Sequence, residues 1–261
     1  MRVRLEAFAK LNLALRVVRR RDDGFHEIDS HVQTIDLCDR ITVARADTGV
    51  EVLNDAAIEG VDIAERAART MIEVKDLDHG FRISVEKRIP IGAGLGGGSS
   101  DAAAVLRAID RMTPPELDHA FLYDIAAEIG SDVPLFLTGG LLRIAGRGEV
   151  IERMGTSGIE HYVLVVPPVH CATAAVYGAW RAKNDNPQRK LVRGENDLLP
   201  AALSLHPELA VYRDAVGAPN AAYWGMSGSG CSFYAAFENR EAALEAADRV
   251  SDRVPDARVI L

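Results

Sequence analysis

The stretch PIGAGLGGGSSDAA, residues 90–103, places five glycines and two serines between a strand-like segment and a helix-like one. Residues 80–89 alternate apolar and polar side chains as a half-buried strand does, and residues 102–112 carry apolar side chains at helical spacing. A glycine-rich turn that opens a helix presents unpaired backbone N–H groups at the positive end of the helix dipole. The stretch therefore predicts a backbone cradle for phosphate.

Two common nucleotide-binding motifs do not fit this stretch. Gly92, Gly94 and Gly97 satisfy G-x-G-x-x-G, but a dinucleotide-binding fold needs a second strand that ends in an acidic residue about 20 residues further on. This chain continues instead from one helix-like segment into another, and no Gly-Lys-Ser/Thr of a P-loop follows the glycines. The remaining alternative is a flexible surface loop, against which the entropic cost of ordering so many glycines argues.

Length and composition restrict the class of protein. A chain of 261 residues with 48% hydrophobic and 26% charged residues is typical of a globular protein with one large or two modest domains. The N-terminal segment lacks a secretory cleavage pattern, and no apolar run approaches the roughly 20 residues that span a bilayer. We therefore expect a cytoplasmic protein without a membrane partner. A net charge of −8 argues against nucleic acid as a partner.

The cysteines predict neither a disulfide framework nor a metal site. Cys38, Cys171 and Cys231 are far apart, odd in number and without metal-ligand spacing, so we expect buried thiols. The sequence is compatible with a monomer and with a homodimer.

The order of strand-like and helix-like segments predicts an α+β fold without internal repeats. Residues 41–46 and 50–54 predict a hairpin through the turn at 47–49. A polar, glycine-rich break at residues 155–158 predicts a boundary between a domain of residues 1–156 and a domain of residues 157–261.

Four polar residues are candidates for a site, although each has an ordinary explanation. Lys10 and Asn12 alternate with leucines and share one strand face, which is equally typical of a solvent-facing strand. His26 follows a turn sequence, where histidine is usually polar surface. Asp132 lies between a predicted helix and Pro134, which we expect to keep the backbone out of a helix, so this carboxylate is equally placed to cap a turn.

A second glycine-rich turn, residues 225–230, lies between two strand-like segments. Its ordinary explanation is a hairpin whose small residues pack under a neighbour. It becomes a candidate for the site only if it faces the stretch at residues 90–103.

Three motifs occur in a fixed order: AKLNLAL at residues 9–15, PIGAGLGGGSSDAA at 90–103 and GMSGSGCSF at 225–233. Together they resemble the signatures of the galactokinase, homoserine kinase, mevalonate kinase and phosphomevalonate kinase (GHMP) superfamily. DGFH at residues 23–26 and GSDVP at 130–134 narrow the resemblance to the family of 4-diphosphocytidyl-2-C-methyl-D-erythritol kinases of the non-mevalonate isoprenoid pathway.

The resemblance implies a two-domain kinase fold, with a ribosomal-S5-like N-terminal domain, a ferredoxin-like C-terminal domain and an active site in the cleft between them. It implies ATP and Mg²⁺, and a small-molecule substrate in which methylerythritol is linked to cytidine diphosphate. The phosphate would go to the 2-hydroxyl of that substrate.

The resemblance also assigns roles to residues. Asp132 matches the catalytic aspartate of the family and Lys10 its partner lysine. Lys87 matches a position near the adenine, and Ser99 or Ser100 helps to hold Mg²⁺ and phosphate. The full set of matching nucleotide-binding positions is Lys87, Pro90, Gly92, Gly94, Leu95, Gly96, Gly97, Gly98, Ser99 and Ser100. The matching acceptor-binding positions are Asn12, Phe25, His26, Asp132, Thr173 and Tyr177, of which Phe25, His26 and Tyr177 surround the cytosine.

The sequence departs from the family pattern in several places. Asp62-Ile63 stands where the family commonly has an asparagine-leucine pair near the base, and Phe25 replaces the usual tyrosine. Two alternative functions remain open. One is a superfamily kinase for another alcohol, such as mevalonate or homoserine. The other is a nucleotide-binding regulatory protein without transfer activity, against which the presence of both Lys10 and Asp132 argues.

Overall fold

Strands and helices are interspersed along the chain, which confirms the α+β class. The computed structural model describes residues 1–55, 62–155, 158, 160–182, 189–217 and 220–261. The strands of this part are β1 (Arg2–Arg20), β2 (His26–Ala46), β3 (Val50–Asn54), β4 (Gly80–Glu86), β5 (Leu141–Gly146), β6 (Val150–Arg153), β7 (His161–Val166), β8 (Tyr223–Met226), β9 (Phe233–Phe237) and β10 (Arg258–Ile260). The helices are α1 (Ile63–Val74), α2 (Gly97–Met112), α3 (His119–Ile129), α4 (Val133–Thr138), α5 (Thr173–Ala179), α6 (Leu199–Leu205), α7 (Leu209–Val216) and α8 (Arg240–Arg253).

The chain forms two compact units, and neither is continuous in sequence. Unit 1 comprises Met1–Lys10, Thr34–Ile91 and Gly96–Gly139, and unit 2 comprises Leu11–Gln33, Gly92–Leu95 and Gly140–Leu261. The long strands β1 and β2 therefore contribute to both units. The predicted domain boundary between residues 156 and 157 lies outside the described residues and stays a prediction.

In the sheet of unit 1, β4 lies between β3 and β2. It pairs in parallel with β3 and antiparallel with residues 40–46 of β2. The predicted hairpin of residues 41–46 and 50–54 is therefore wrong, because β4 takes the hydrogen bonds that a hairpin would have formed. The Phe81 amide donates to the Gly49 carbonyl at 2.9 Å and so continues this pairing into the loop. Alternation along a strand indicates which face is buried, but it does not choose the neighbouring strand.

Helices α1 and α2 pack against each other through small buried side chains. Asp62 caps α1, since its Oδ1 accepts a hydrogen bond from the Ala64 amide at 2.8 Å. Ala102, Ala103 and Ala108 are almost completely buried in α2, which allows the neighbouring helix to approach closely. This packing holds the start of α2 in place.

The short helix α4 includes Pro134 in its first turn. The expectation that this proline keeps the backbone out of a helix is wrong. The N–H groups of a first helical turn have no intrahelical partner, so a proline there removes no helical hydrogen bond. Asp132 consequently lies at the N-cap of α4.

Unit 2 contains an antiparallel sheet in the order β10-β7-β9-β8. Numbered from one to four along the chain, these strands lie in the order 4-1-3-2, with helices between the first and second and between the third and fourth. This is the ferredoxin-like arrangement that the resemblance implies. Helices α7 and α8 contact the sheet, whose strand β9 is buried along its whole length. Residues 28–33 of β2 pair with β5, and β5 and β6 pair antiparallel as a hairpin through residues 147–149.

The described part of the chain contains no helix with both the length and the apolar character needed to cross a bilayer.

Candidate active site

Residues 92–98 form a tight loop, called here the glycine arch. Gly94 and Gly96 have φ angles of +75° and +72°, a backbone conformation that residues with a Cβ rarely adopt. A Cβ at Gly94 would also lie 2.4 Å from the Ser227 carbonyl oxygen, and one at Gly96 would lie 2.7 Å from Cζ of Phe136. Both positions therefore require glycine because of the backbone angle and because of the space available.

The arch leads directly into helix α2, whose first turn is suited to binding an anion. Gly96 is the N-cap residue and has no side chain with which to cap the helix, and the first turn of α2 carries no acidic residue. The Ser100 amide is the first to donate back into the helix, to the Gly96 carbonyl at 2.9 Å. The amides of residues 97–99 lie at the positive end of a helix of 16 residues. Gly98 is exposed and Ser99 half-buried, whereas Ser100 and Leu95 are buried.

The turn at residues 225–230 faces the arch within unit 2. The Ser227 hydroxyl donates to the Gly94 carbonyl at 3.0 Å, and the Ser232 amide donates to the Ala93 carbonyl at 3.3 Å. The Asn196 side chain donates from Nδ2 to two carbonyls of this turn, those of Met226 and Gly228, at 2.8 Å each. The turn at residues 225–230 therefore faces the stretch at residues 90–103 and becomes part of the candidate site.

Lys10 and Asp132 interact electrostatically within unit 1. Burial lowers the pKa of the Lys10 ammonium, which is only 5% exposed, and the negative charge of Asp132 offsets part of this shift. Asp132 makes no side-chain cap to α4, so the capping explanation of this residue is wrong. A Cβ at Gly96 would lie 3.1 Å from Cγ of Lys10, which places the lysine stem beside the arch.

Lys87 forms a buried network with two carboxylates. Its Nζ donates to Asp39 Oδ2 at 2.5 Å and to Asp101 Oδ2 at 2.7 Å. Burial alone would lower the pKa of Lys87, but Asp101 and Asp39 reverse the shift and raise it. Burial raises the pKa of Asp101 to about 8, although Lys87 opposes this shift. The location of Lys87 near an adenine stays a prediction.

His26 lies in a group of aromatic rings in unit 2. Its ring centroid is 5.0 Å from that of Tyr177 and 5.6 Å from that of Trp180, and the His26 and Trp180 rings are nearly perpendicular. Burial lowers the pKa of His26, and the Arg20 cation lowers it further. The imidazole is therefore neutral near pH 7. Phe25 is 53% exposed, and the Arg147 guanidinium lies 5.1 Å from the centroid of its ring.

The two polar candidates of unit 2 hydrogen-bond to serines. Asn12 Nδ2 donates to the Ser30 hydroxyl at 2.9 Å, and the Thr173 hydroxyl lies 3.0 Å from the Ser229 hydroxyl. Ser229 belongs to the turn that contacts the arch, so Thr173 is tied to that turn.

Comparison with known proteins identifies the family. Residues 62–140 match the family model for the GHMP kinases N terminal domain, and residues 181–256 match the model for GHMP kinases C terminal. A 4-diphosphocytidyl-2-C-methyl-D-erythritol kinase from Thiobacillus denitrificans is 36% identical over 253 residues, which cover 94% of this chain and 90% of the relative. The chain belongs to the 4-diphosphocytidyl-2-C-methyl-D-erythritol kinase family. A kinase of the same name from Brevibacillus brevis is 37% identical over 256 residues, or 90% of this chain and 87% of the relative.

Solved structures support the same fold. The crystal structure of a 4-(cytidine 5'-diphospho)-2C-methyl-D-erythritol kinase matches with a TM-score of 0.84 at 34% identity, over 98% of both chains. Crystal structures of a mevalonate kinase and of the homoserine kinase from Cytophaga hutchinsonii match with TM-scores of 0.71 and 0.68 at 13% and 15% identity. The first covers 99% of this chain and 98% of the mevalonate kinase, and the second covers 97% of both chains. This member of the family is therefore a small-molecule kinase with the two-domain fold implied by its motifs.

Sequence reasoning missed four residues near the candidate sites of this kinase. Asp39 and Asp101 hold Lys87, and Asn196 holds the turn at residues 225–230. Trp180 stood three residues after Tyr177 at the end of the same helix, a spacing that predicts a shared face. Asp101 stood out as a charged residue in a run of small ones, whereas nothing local marked Asp39 or Asn196.

The substitution Gly96→Ala tests the steric requirement of the arch. We expect it to lower the free energy of unfolding by about 1–3 kcal/mol, because the new methyl group meets Phe136 and Lys10 in a strained backbone conformation. Urea unfolding measures this change. Gly155→Ala is the control, since a Cβ there meets no atom of the described residues within 4 Å, and it should change stability by less than about 0.5 kcal/mol. Equal effects of the two substitutions would contradict the requirement.

Proposed function

We propose that this kinase transfers the γ-phosphoryl group of ATP to the 2-hydroxyl of 4-diphosphocytidyl-2-C-methyl-D-erythritol, giving the 2-phosphate and ADP in the non-mevalonate isoprenoid pathway. The single observation that carries the transfer step is the coupling of Lys10 with Asp132 beside the arch. Membership of the family supports the choice of acceptor.

The phosphates of ATP would lie over the glycine arch and the first turn of α2. Uncapped amides and the helix dipole favour negative charge there, and the absence of side chains lets the backbone approach phosphate oxygens closely. The proposed nucleotide-binding positions are Pro90, Gly92, Gly94, Leu95, Gly96, Gly97, Gly98, Ser99 and Ser100. Of these, Leu95 and Ser100 are buried and would act through the backbone or through the shape of the loop.

Mg²⁺ would be held by ATP together with a hydroxyl of Ser99 or Ser100. Among the described residues no cluster of His, Cys, Asp or Glu could hold a metal ion by itself. This fits Mg²⁺, which keeps several water ligands and commonly binds through substrate phosphates and one or two protein oxygens. When bound, the ion neutralises negative charge on the transferring group.

In the proposed reaction Asp132 is the general base. The 2-hydroxyl oxygen attacks the γ-phosphorus, the bond from that phosphorus to the oxygen of ADP breaks, and the hydroxyl proton passes to the Asp132 carboxylate. The Lys10 ammonium, which the Asp132 charge helps to keep protonated, would stabilise the developing alkoxide. Because Lys10 is buried, water screens these charge interactions only weakly.

The cytosine of the acceptor would bind among the aromatic side chains of unit 2. Tyr177 and Phe25 offer flat apolar faces to a pyrimidine, and neutral His26 has one ring nitrogen to donate and one to accept at the polar edge of the base. Asn12 and Thr173 would make further polar contacts with the acceptor. The reaction requires the 2-hydroxyl to reach Asp132 while the base is bound in this way.

Two properties stay predictions of the sequence. One is the cytoplasmic location, and the other is the state of assembly, for which a monomer and a homodimer are both expected.

An acceptor comparison tests the proposed function. We expect the purified protein with ATP and Mg²⁺ to phosphorylate the cytidyl substrate with a kcat/KM at least about a thousandfold above that for mevalonate or homoserine, since these lack the base that the aromatic group would bind. Product formation is followed by ³¹P NMR. Faster transfer to another alcohol would favour a different superfamily kinase. Nucleotide binding without transfer to any alcohol would favour the regulatory alternative.

The substitution Asp132→Asn tests the assignment of the base. The amide keeps the shape of the side chain but accepts no proton, so we expect kcat for the cytidyl substrate to fall by about 10²–10⁴-fold. The KM for ATP should change by less than about threefold. Asp124→Asn, at an exposed carboxylate on α3, is the matched control and should leave kcat unchanged. Retention of most of the turnover in Asp132→Asn would show that another group takes the proton.

A further inference from the structure

Asp39, Lys87 and Asp101 form a network in unit 1, called here the charged triad, that the proposed mechanism does not use. All three side chains are buried: that of Lys87 is 7% exposed, that of Asp101 4% and that of Asp39 not at all. Lys87 Nζ joins the two carboxylates at 2.5 and 2.7 Å. The triad is therefore continuous from strand β2 through the loop after β4 to helix α2.

The triad holds the chain on both sides of the glycine arch. Asp39 Oδ1 accepts hydrogen bonds from the amides of Arg88 and Ile89, at 2.5 and 2.8 Å, and so fixes the backbone just before the arch. Asp101 lies in α2, three residues after the last residue of the arch.

The triad also lies directly beneath the end of the arch. A Cβ at Gly97 would lie 3.3 Å from Lys87 Nζ and 3.0 Å from Cγ2 of Ile89. One buried amine, that of Lys87, thus joins the residues before the arch to those after it. The contact at Gly97 leaves no space for the arch to move closer to this amine.

A contribution to the stability of the fold does not by itself explain why these three charged groups are buried together. Two carboxylates and one amine without water incur a desolvation cost that a well-packed apolar cluster of similar volume would avoid. Oδ1 of Asp101 is buried and finds no hydrogen-bond partner among the residues that the structure describes, which adds to that cost. What the triad provides beyond stability is geometry, since charged hydrogen bonds fix distance and direction more strictly than apolar contacts do.

We propose that the charged triad positions the glycine arch for the phosphates of ATP, and that Lys87 acts on the nucleotide through the arch without touching it. The triad holds residues 88–89 and the start of α2 at the spacing at which the arch amides converge on a phosphate. This inference rests on the proposed function only in placing ATP at the arch. Asp39, Lys87 and Asp101 are accordingly positioning residues.

The test compares two buried lysines of unit 1. Lys87→Met removes the amine of the triad. Lys75→Met is the matched control, because Lys75 Nζ lies 2.7 Å from Asp110 Oδ1 with side chains 7% and 8% exposed, and Asp110 is near the opposite end of α2. The measured quantities are the Kd of a non-hydrolysable ATP analogue with Mg²⁺ by calorimetry, the KM of the cytidyl acceptor and the urea midpoint of unfolding.

We expect Lys87→Met to raise the Kd of the ATP analogue by about tenfold or more, the range seen when supporting residues of metal sites are removed. The KM of the acceptor should stay within about twofold. Lys75→Met should lower the urea midpoint while leaving the Kd within about twofold, since its ion pair is remote from the arch. The corresponding GTP analogue should lose affinity in Lys87→Met by the same factor as the ATP analogue, because the triad acts on the phosphates.

Asp101→Asn provides a second test should Lys87→Met fail to fold. It keeps an oxygen for Lys87 and replaces the carboxyl group by an amide, and we expect the Kd of the ATP analogue to rise by about threefold or more. An unchanged Kd in either folded variant would overturn the proposal. So would a loss confined to the ATP analogue, which would show that Lys87 contacts the base. Analogue binding by the wild-type protein without transfer to the acceptor would refute the proposed function while leaving the Kd comparison valid.

Discussion

The side chain of Lys10 is almost completely buried, and this burial constrains the residues around it in unit 1. Burial disfavours the ammonium, so a nearby anion is needed to hold the charge, and Asp132 contributes one. Gly96 has no side chain and thereby leaves space for the lysine stem. The same glycine has the left-handed backbone angle at which α2 starts without a side-chain cap. The pairing of Lys10 with Asp132, the shape of the arch and the anion site at the start of α2 therefore depend on one another.

Glycine has two different roles in the arch and in the turn at residues 225–230. In unit 2, Gly94 admits the carbonyl of Ser227 at a distance where any Cβ would clash, so the two turns share hydrogen bonds. In unit 1, Gly96 and Gly97 leave space for the stem of Lys10 and the amine of Lys87. The arch is thus supported by backbone contacts in one unit and by charged side chains in the other. A loop of this composition would otherwise be flexible, and the supports offset the entropic cost of ordering it.

The sequence predicted individual strands and helices better than it predicted which strands pair and which distant side chains meet. The strand, arch and helix around residues 80–112 follow from side-chain periodicity and glycine content. The hairpin of residues 41–54 was wrong because the pairing partner, β4, comes later in the chain. Lys10, Asp132 and His26 became strong candidates only through the resemblance, since each alone has an ordinary explanation. The environment of Lys87 depends on Asp39, 48 residues away, and no local pattern reveals such a contact.

The most direct test of this account is a crystal structure of the protein with a non-hydrolysable ATP analogue, Mg²⁺ and the cytidyl acceptor bound together. The account predicts the terminal phosphate over the arch, beside Lys10. It also predicts the acceptor 2-hydroxyl at a hydrogen-bonding distance of about 3 Å from an Asp132 oxygen. A terminal phosphate bound away from the arch, or a 2-hydroxyl turned away from Asp132, would contradict it.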